Sequence, residues 1–125
     1  MNIVDSSGWL EYFADAPNSD FFAPIIENVA DLLVPSISLY EVFKRIYQQR
    51  GEEPALKAIA AMAQGKVIEL DVTLALNAAK LSANRKLPMA DSIMLATAQA
   101  HHAILWTQDA DFKDMAGVRY IPKYS

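Results

Sequence analysis

The sequence predicts an α/β protein whose mainly parallel central sheet is flanked by helices on both faces, a three-layer α/β/α arrangement. Short apolar runs alternate with longer stretches of helical periodicity, and no repeat, low-complexity run or linker interrupts this alternation. The 125 residues are expected to form one domain, 1–125, which at this size buries about two-thirds of the surface of its unfolded chain.

Composition and charge limit the classes of function. Hydrophobic residues make up 53% and charged residues 21%, which is typical of a globular chain. The lack of cysteine excludes disulfides, thiolate metal sites and a cysteine nucleophile, and it fits the cytoplasm. We expect no signal peptide and no membrane span. A net charge of −4 argues by itself against nucleic acid, but acids clustered around a metal would hide a modest basic surface in this sum.

The predicted strands are short apolar or β-branched runs, most of them followed by a residue that ends the run. Asp5 follows the first, Pro35 the second and Asp71 the third. In chain order, the predicted strands are residues 2–4, 32–34, 67–70, 103–107 and 118–121.

The predicted helices carry apolar residues at helical spacing between recognisable caps and breakers. Ser6 or Ser7 is expected to cap the first, Ser36 or Ser38 the third, and Gly51 ends that third helix. Asp71 and Pro88 begin the fifth and sixth helices. The helical stretches are 8–13, one starting at 20, 36–50, 53–64, 72–83 and 88–101, with a turn or short helix at 109–114.

Four of the fifteen acidic residues have unusual surroundings. Asp5 directly follows the first strand, and Asp109 follows the strand 103–107. Glu41 and Asp91 lie within strongly apolar helical segments. In a parallel sheet, groups at the carboxyl ends of neighbouring strands converge, so Asp5 and Asp109 would meet if their strands are adjacent.

Each acid also has a purely structural interpretation. Asp5 and Asp109 can cap the helices that follow them. Glu41 can form a capping box with Ser38, and Asp91 can be a favourable charge in a first helical turn. From spacing alone these interpretations stay open.

The motifs resemble those of the PIN-domain family, and most closely VapC-type toxins of toxin–antitoxin pairs. The motifs are Asn-Ile-Val-Asp-Ser-Ser, Ser-x-x-Glu-Val, Leu-Pro-x-Ala-Asp-x-x-x-x-Ala-Thr-Ala and Trp-Thr-Gln-Asp-x-Asp-Phe, in this order over the whole chain. The resemblance implies a PIN-like fold, an endoribonuclease dependent on Mg²⁺ or Mn²⁺, a VapB-like antitoxin partner and a homodimer.

The family's four acidic residues correspond to Asp5, Glu41, Asp91 and Asp109 in this sequence. The resemblance therefore implies that these acids are catalytic and hold the metal. Hard divalent cations with oxygen ligands can activate a water and neutralise a phosphate. Asp5 and Asp91 would hold the main metal ion, and Glu41 and Asp109 would complete its shell or bind a second ion. The residues expected to support these acids are Ser6, Thr107 and Asp111.

Contacts to RNA are harder to predict. Gln108 stands where Arg or Lys is frequent in the family, so another basic residue must contact the substrate. The candidates, which can equally be solvated surface charges, are Lys44, Arg45, Arg50, Arg85 and Lys86.

Two other classes of function compete with a nuclease. A binding module that kept the acids but lost catalysis has only Gln108 in its favour. A phosphotransfer protein, either a haloacid-dehalogenase-like phosphatase or a receiver domain, lacks its expected signatures; the phosphatase motif, for example, needs an Asp where this chain has Ser7.

Overall fold

A computed structural model describes residues 1–124 and contains a five-stranded, fully parallel sheet with helices on both faces. This confirms the predicted fold class. The strands are β1 (Asn2–Val4), β2 (Leu32–Pro35), β3 (Lys66–Ile68), β4 (Ile104–Thr107) and β5 (Val118–Tyr120), in the spatial order β3-β2-β1-β4-β5.

Six α-helices and two 3₁₀ turns connect the described strands. The helices are α1 (Ser6–Phe13), α2 (Ser19–Glu27), α3 (Ser36–Arg50), α4 (Glu52–Met62), α5 (Val72–Arg85) and α6 (Met89–Ala100). The 3₁₀ turns are Val29–Asp31, before β2, and Ala110–Phe112, after β4. No helix within residues 1–124 is both long and apolar enough to cross a membrane.

Alternating strand residues separate the two sides of the core. Val4 packs in a cluster with residues of α1 to α4, whereas its neighbour Ile3 packs with residues of α6. On β2, Val34 joins the first cluster and Leu33 the second. Because successive strand side chains point to opposite faces, helices α1 to α4 cover one face of the sheet, and α6 with α5 covers the other.

Helix caps agree only in part with prediction. Asp71 caps α5 by accepting a hydrogen bond from the Leu74 N–H at 2.8 Å, as expected. The expected serine cap of α1 is wrong, because the helix already begins at Ser6 and Asp5 is its N-cap.

The serine cap of α3 and the capping box are also wrong. The helix begins at Ser36 after Pro35, and no side chain caps it. The Ser38 hydroxyl instead donates to the Pro35 carbonyl at 2.7 Å, which leaves Glu41 free for another role.

Candidate active site

The carboxyl ends of β1 and β4 lie side by side near the middle of the sheet. Val4 pairs with Trp106, and the Asp5 N–H donates to the Trp106 carbonyl at 3.1 Å. The strands that precede Asp5 and Asp109 are therefore neighbours, which confirms the condition for these acids to converge.

Asp5 is both a helix cap and a buried member of the site. Its side chain is 3% exposed and accepts the Gly8 N–H at 2.9 Å. The Thr107 hydroxyl donates to its Oδ2 at 2.6 Å, and the Ser7 hydroxyl donates to its Oδ1 at 2.8 Å. These bonds fix the orientation of the carboxylate, as groups around metal-binding carboxylates commonly do.

Burial acts against the charge of Asp5. Loss of hydration raises the pKa of Asp5 to about 6, although hydrogen bonds from Thr107, Gly8 and Ser7 act in the opposite direction. The nearby charge of Asp109 adds to the rise.

Asp91 reaches the same site from the opposite layer, in the first turn of α6. Burial and then the negative charges of Asp109 and Asp5 raise the pKa of Asp91 to about 7. Asp111 and Glu41 add smaller effects in the same direction. Four neighbouring carboxylates therefore disfavour the charge of Asp91, and a bound cation would offset their effect.

The Glu41 side chain on α3 forms a hydrogen bond with α1 and not with the start of its own helix. The Ser6 hydroxyl donates to Glu41 Oε1 at 2.6 Å, which joins α1 to α3 across 35 residues of sequence. Ser6 and Thr107 thus contact the carboxylates of Glu41 and Asp5, the group of residues that sequence reasoning expected them to support.

Asp91, Asp109 and Asp111 form the most compact group of acids in residues 1–124. One carboxylate oxygen from each lies within 4.8 Å of the others. Asp109 also caps the following 3₁₀ turn by accepting the Asp111 N–H at 2.9 Å, which folds Asp111 back toward the site. Sequence reasoning had ranked Asp111 below the other four acids.

These acids lie in or beside a cleft of about 720 Å³, here called the acidic cleft. Asp5, Glu41, Asp91 and Asp109 line it together with four basic residues: Lys44, Arg45, Arg50 and Lys123. Arg85 and Lys86 are not among its lining residues; they are exposed at the end of α5. Lys123 was missed, since nothing in the local sequence indicates that the segment after β5 turns toward the acids.

Gln108 lines the acidic cleft and is also a buried structural link. It is 6% exposed, and its Oε1 accepts from Asn18 Nδ2 at 2.9 Å. Its Nε2 donates to Glu11 Oε1 at 3.1 Å and more weakly to the Ser7 carbonyl at 3.3 Å. Its amide is thus engaged with protein groups on three sides.

The donor set fits a hard divalent cation. The convergent ligands are carboxylate oxygens without histidine or sulfur, and this combination suits Mg²⁺ or Mn²⁺. The raised pKa of Asp91 agrees with this, because burial and then the neighbouring negative charges both disfavour its charged form, and a bound cation would offset both.

Fold and site define an α/β protein with a carboxylate centre at the carboxyl ends of neighbouring parallel strands. Residues 3–118 match the family model described as PIN domain. The chain belongs to the PIN-domain family.

Solved structures with this fold include several from toxin–antitoxin systems. The chain is similar to one in the toxin–antitoxin complex from Klebsiella pneumoniae (22% identity, TM-score 0.78, covering 95% of this chain and 96% of that one). It is also similar to a chain of DNA-bound VapBC from Salmonella typhimurium (17% identity, TM-score 0.75, 98% of each chain). A third is Mycobacterium tuberculosis VapC20, described as a sarcin–ricin loop cleaving toxin (16% identity, TM-score 0.76, 93% and 95%). No curated protein matches the sequence.

Proposed function

We propose that this protein is an endoribonuclease that depends on Mg²⁺ or Mn²⁺ and serves as the toxin of a toxin–antitoxin pair. The observation that carries the proposal is the convergence of acids from the ends of β1 and β4 and from α3 and α6 in a cleft that basic residues also line. Membership of the PIN-domain family and the toxin–antitoxin origin of similar structures support the same function.

The acids share one role in this proposal. Asp5, Glu41, Asp91 and Asp109 hold the metal, and the position of Asp111 makes it a fifth candidate. When bound, the metal supplies positive charge that stabilises the phosphate and favours deprotonation of water.

The hydroxyl groups keep two of these carboxylates in place. Thr107 holds Asp5 and Ser6 holds Glu41, so that both acids are oriented before substrate arrives. On the rim, Lys44 and Arg45 attract the RNA backbone. None of the cleft cations described in residues 1–124 forms an ion pair within 4 Å of a carboxylate, so they remain available to phosphate.

Cleavage of a structured RNA by the purified protein tests this function. We expect cleavage with Mg²⁺ or Mn²⁺ and none with a chelator. Asp5→Asn and Asp91→Asn should each lower the rate by at least about a hundredfold, the size expected for a lost metal-site contact.

The control variant is Asp71→Asn. Asp71 caps α5 with the same kind of bond that Asp5 makes to α1, but it does not line the acidic cleft. This variant should cut at the wild-type rate. If the Asp5 and Asp91 variants also cut at that rate, the proposed metal site is wrong.

The partner and the assembly belong to the same proposal. We expect a VapB-like antitoxin to inhibit the nuclease and the toxin to be a cytoplasmic homodimer. Light scattering on the purified chain tests the dimer, and co-purification with the product of a neighbouring short gene tests the antitoxin. The alternative of an inactive binding module predicts metal binding without RNA turnover, which calorimetry beside the cleavage assay separates from the nuclease.

A further inference from the structure

The basic residues that line the acidic cleft come from two different sides of the sheet. Lys44, Arg45 and Arg50 lie on α3, which follows β2. Lys123 follows β5. In the sheet order β3-β2-β1-β4-β5, the strands that lead to Asp5 and Asp109 lie between β2 and β5. Lys123 is therefore the one described cation of the cleft on the β5 side of the acids.

The segment that carries Lys123 is held by specific bonds. Ile121 extends the pairing of β5 by donating its N–H to the Thr107 carbonyl at 3.0 Å, and its side chain packs against the core. Asn18 Nδ2 donates to the Pro122 carbonyl at 3.0 Å. The residue directly before Lys123 is thus tied to the turn between α1 and α2.

Asn18 is in turn held by buried groups next to the acids. It is 2% exposed, its backbone N–H donates to Glu11 Oε2 at 2.8 Å, and its Nδ2 also donates to Gln108 Oε1. Gln108 lies in the sequence between Thr107 and Asp109. A chain of hydrogen bonds that runs through the buried amides of Gln108 and Asn18 to the exposed Pro122 therefore connects the strand end that carries Asp109 to the segment that carries Lys123. Buried polar networks whose groups are paired are rigid.

We propose that Lys123 binds an RNA phosphate on the β5 side of the scissile bond, and that Asn18 and Gln108 are positioning residues that hold it there. The inference rests on the proposed ribonuclease function. An RNA strand that crosses the strand ends would meet the α3 cations on one side of the acids and Lys123 on the other. Such an arrangement neutralises the backbone on both sides of the cut and fixes the register of the strand.

Substitution of Lys123 tests the phosphate contact. Binding of a 2′-O-methyl oligoribonucleotide, which is not cleaved, is measured in Mg²⁺ by fluorescence anisotropy beside steady-state cleavage. We expect Lys123→Ala to raise Kd and KM about three- to tenfold and to leave kcat within about twofold of wild type. The slope of log Kd against the logarithm of the salt concentration should decrease by about one. Lys123→Arg should retain tight binding.

The matched control is Lys80→Ala, which removes the same charge from an exposed position on α5 away from the acidic cleft. The inference is overturned if Lys123→Ala binds as wild type does, or if Lys80→Ala weakens binding equally.

A double-mutant cycle tests the positioning role. Asn18→Ala should weaken binding about as much as Lys123→Ala, and it should have no further effect when Lys123 is already Ala. Gln108→Met, which keeps the side-chain volume, provides a second variant if Asn18→Ala folds poorly. Additive losses would refute the positioning role, because Asn18 would then act independently of Lys123.

The two assays separate this inference from the proposed function. If wild type binds the oligonucleotide but does not cut RNA, the proposed catalysis is wrong. The binding measurements on the Lys123 variants then still test whether Lys123 contacts the RNA. If wild type neither binds nor cuts, both fail.

Discussion

Asp5→Asn should make the metal-free protein more stable while it removes nuclease activity. The pKa of Asp5 rises from 3.8 to about 6 on folding, chiefly because burial removes water from the carboxylate. At about 1.36 kcal/mol for each pH unit, the charged carboxylate costs the folded state about 3 kcal/mol at neutral pH. Asn occupies the same volume, can accept the Gly8 N–H and can donate to the neighbouring hydroxyl oxygens, so most of this cost disappears.

The expected gain depends on pH in a defined direction. Well below pH 3.8, Asp5 is protonated in both states and contributes no difference, and at pH 4 the difference is still small. As the pH rises from about 4 to about 7, the unfolded chain releases the proton first, so wild type loses stability relative to Asp5→Asn. We expect a gain of about 1–3 kcal/mol at pH 7.5 in chelator, or roughly 3–10 °C in Tm for a domain of this size.

Urea denaturation at pH 4 and pH 7.5, with chelator, measures this difference. Asp71→Asn is the matched control, since Asp71 makes the same helix-capping bond from an exposed position and should change stability by less than about 0.5 kcal/mol. A variant at Asp5 that is less stable than wild type at pH 7.5, or a gain that does not change with pH, would refute the reasoning.

Three further predictions concern the same site and its supports. Mg²⁺ at a hundred times its Kd should raise the free energy of unfolding of wild type by about 2.7 kcal/mol and so raise its Tm. In the same thermal-shift assay, the Tm of Asp91→Asn should change little. Thr107→Val removes the 2.6 Å bond to Asp5 and should weaken Mn²⁺ binding about 10- to 100-fold by calorimetry, while Thr107→Ser should restore it. Gly8→Ala should lower the free energy of unfolding, measured in urea, by about 2–3 kcal/mol. The added Cβ would lie 2.6 Å from Val4 Cγ1 and 2.7 Å from Phe22 Cε1. If the variant is as stable as wild type, the core relaxes at this position.

The fold class and most of its elements could be predicted because their signals are local. Apolar runs of three or four residues, separated by helical periodicity, locate all five strands to within two residues. Gly51 ends α3 with a positive φ of 91°, as expected from its backbone preference. Pro88 was predicted to be the first residue of the sixth helix and instead directly precedes α6, one residue from the prediction. The adjacency of β1 and β4 was only a condition in the sequence argument, since 102 residues separate Thr107 from its partner Asp5.

The errors at the helix starts have one physical cause. Ser38 and Glu41 have the spacing of a capping box, but the chain enters α3 directly from Pro35, and the hydroxyl bonds to the Pro35 carbonyl. Glu41 is then bonded by Ser6, from a helix 35 residues earlier. Local spacing identifies which groups can pair, whereas the packing of α1 against α3 decides which of them do.

The same distinction explains the part of the site that sequence reasoning missed. Gln108 looked like the loss of a cation, because Arg or Lys is frequent at this position in the family that the motifs resemble. In the structure its surroundings are the Asn18 amide, the Glu11 carboxylate and the Ser7 carbonyl, all of them protein groups. Gln108 lines the acidic cleft, but its amide is bonded to protein groups and links the elements around the acids. The cation on that side of the cleft comes instead from Lys123, whose position depends on a bond between Asn18 and Pro122, 104 residues apart in sequence. The local motif locates the acids, and long-range packing determines which cations reach them.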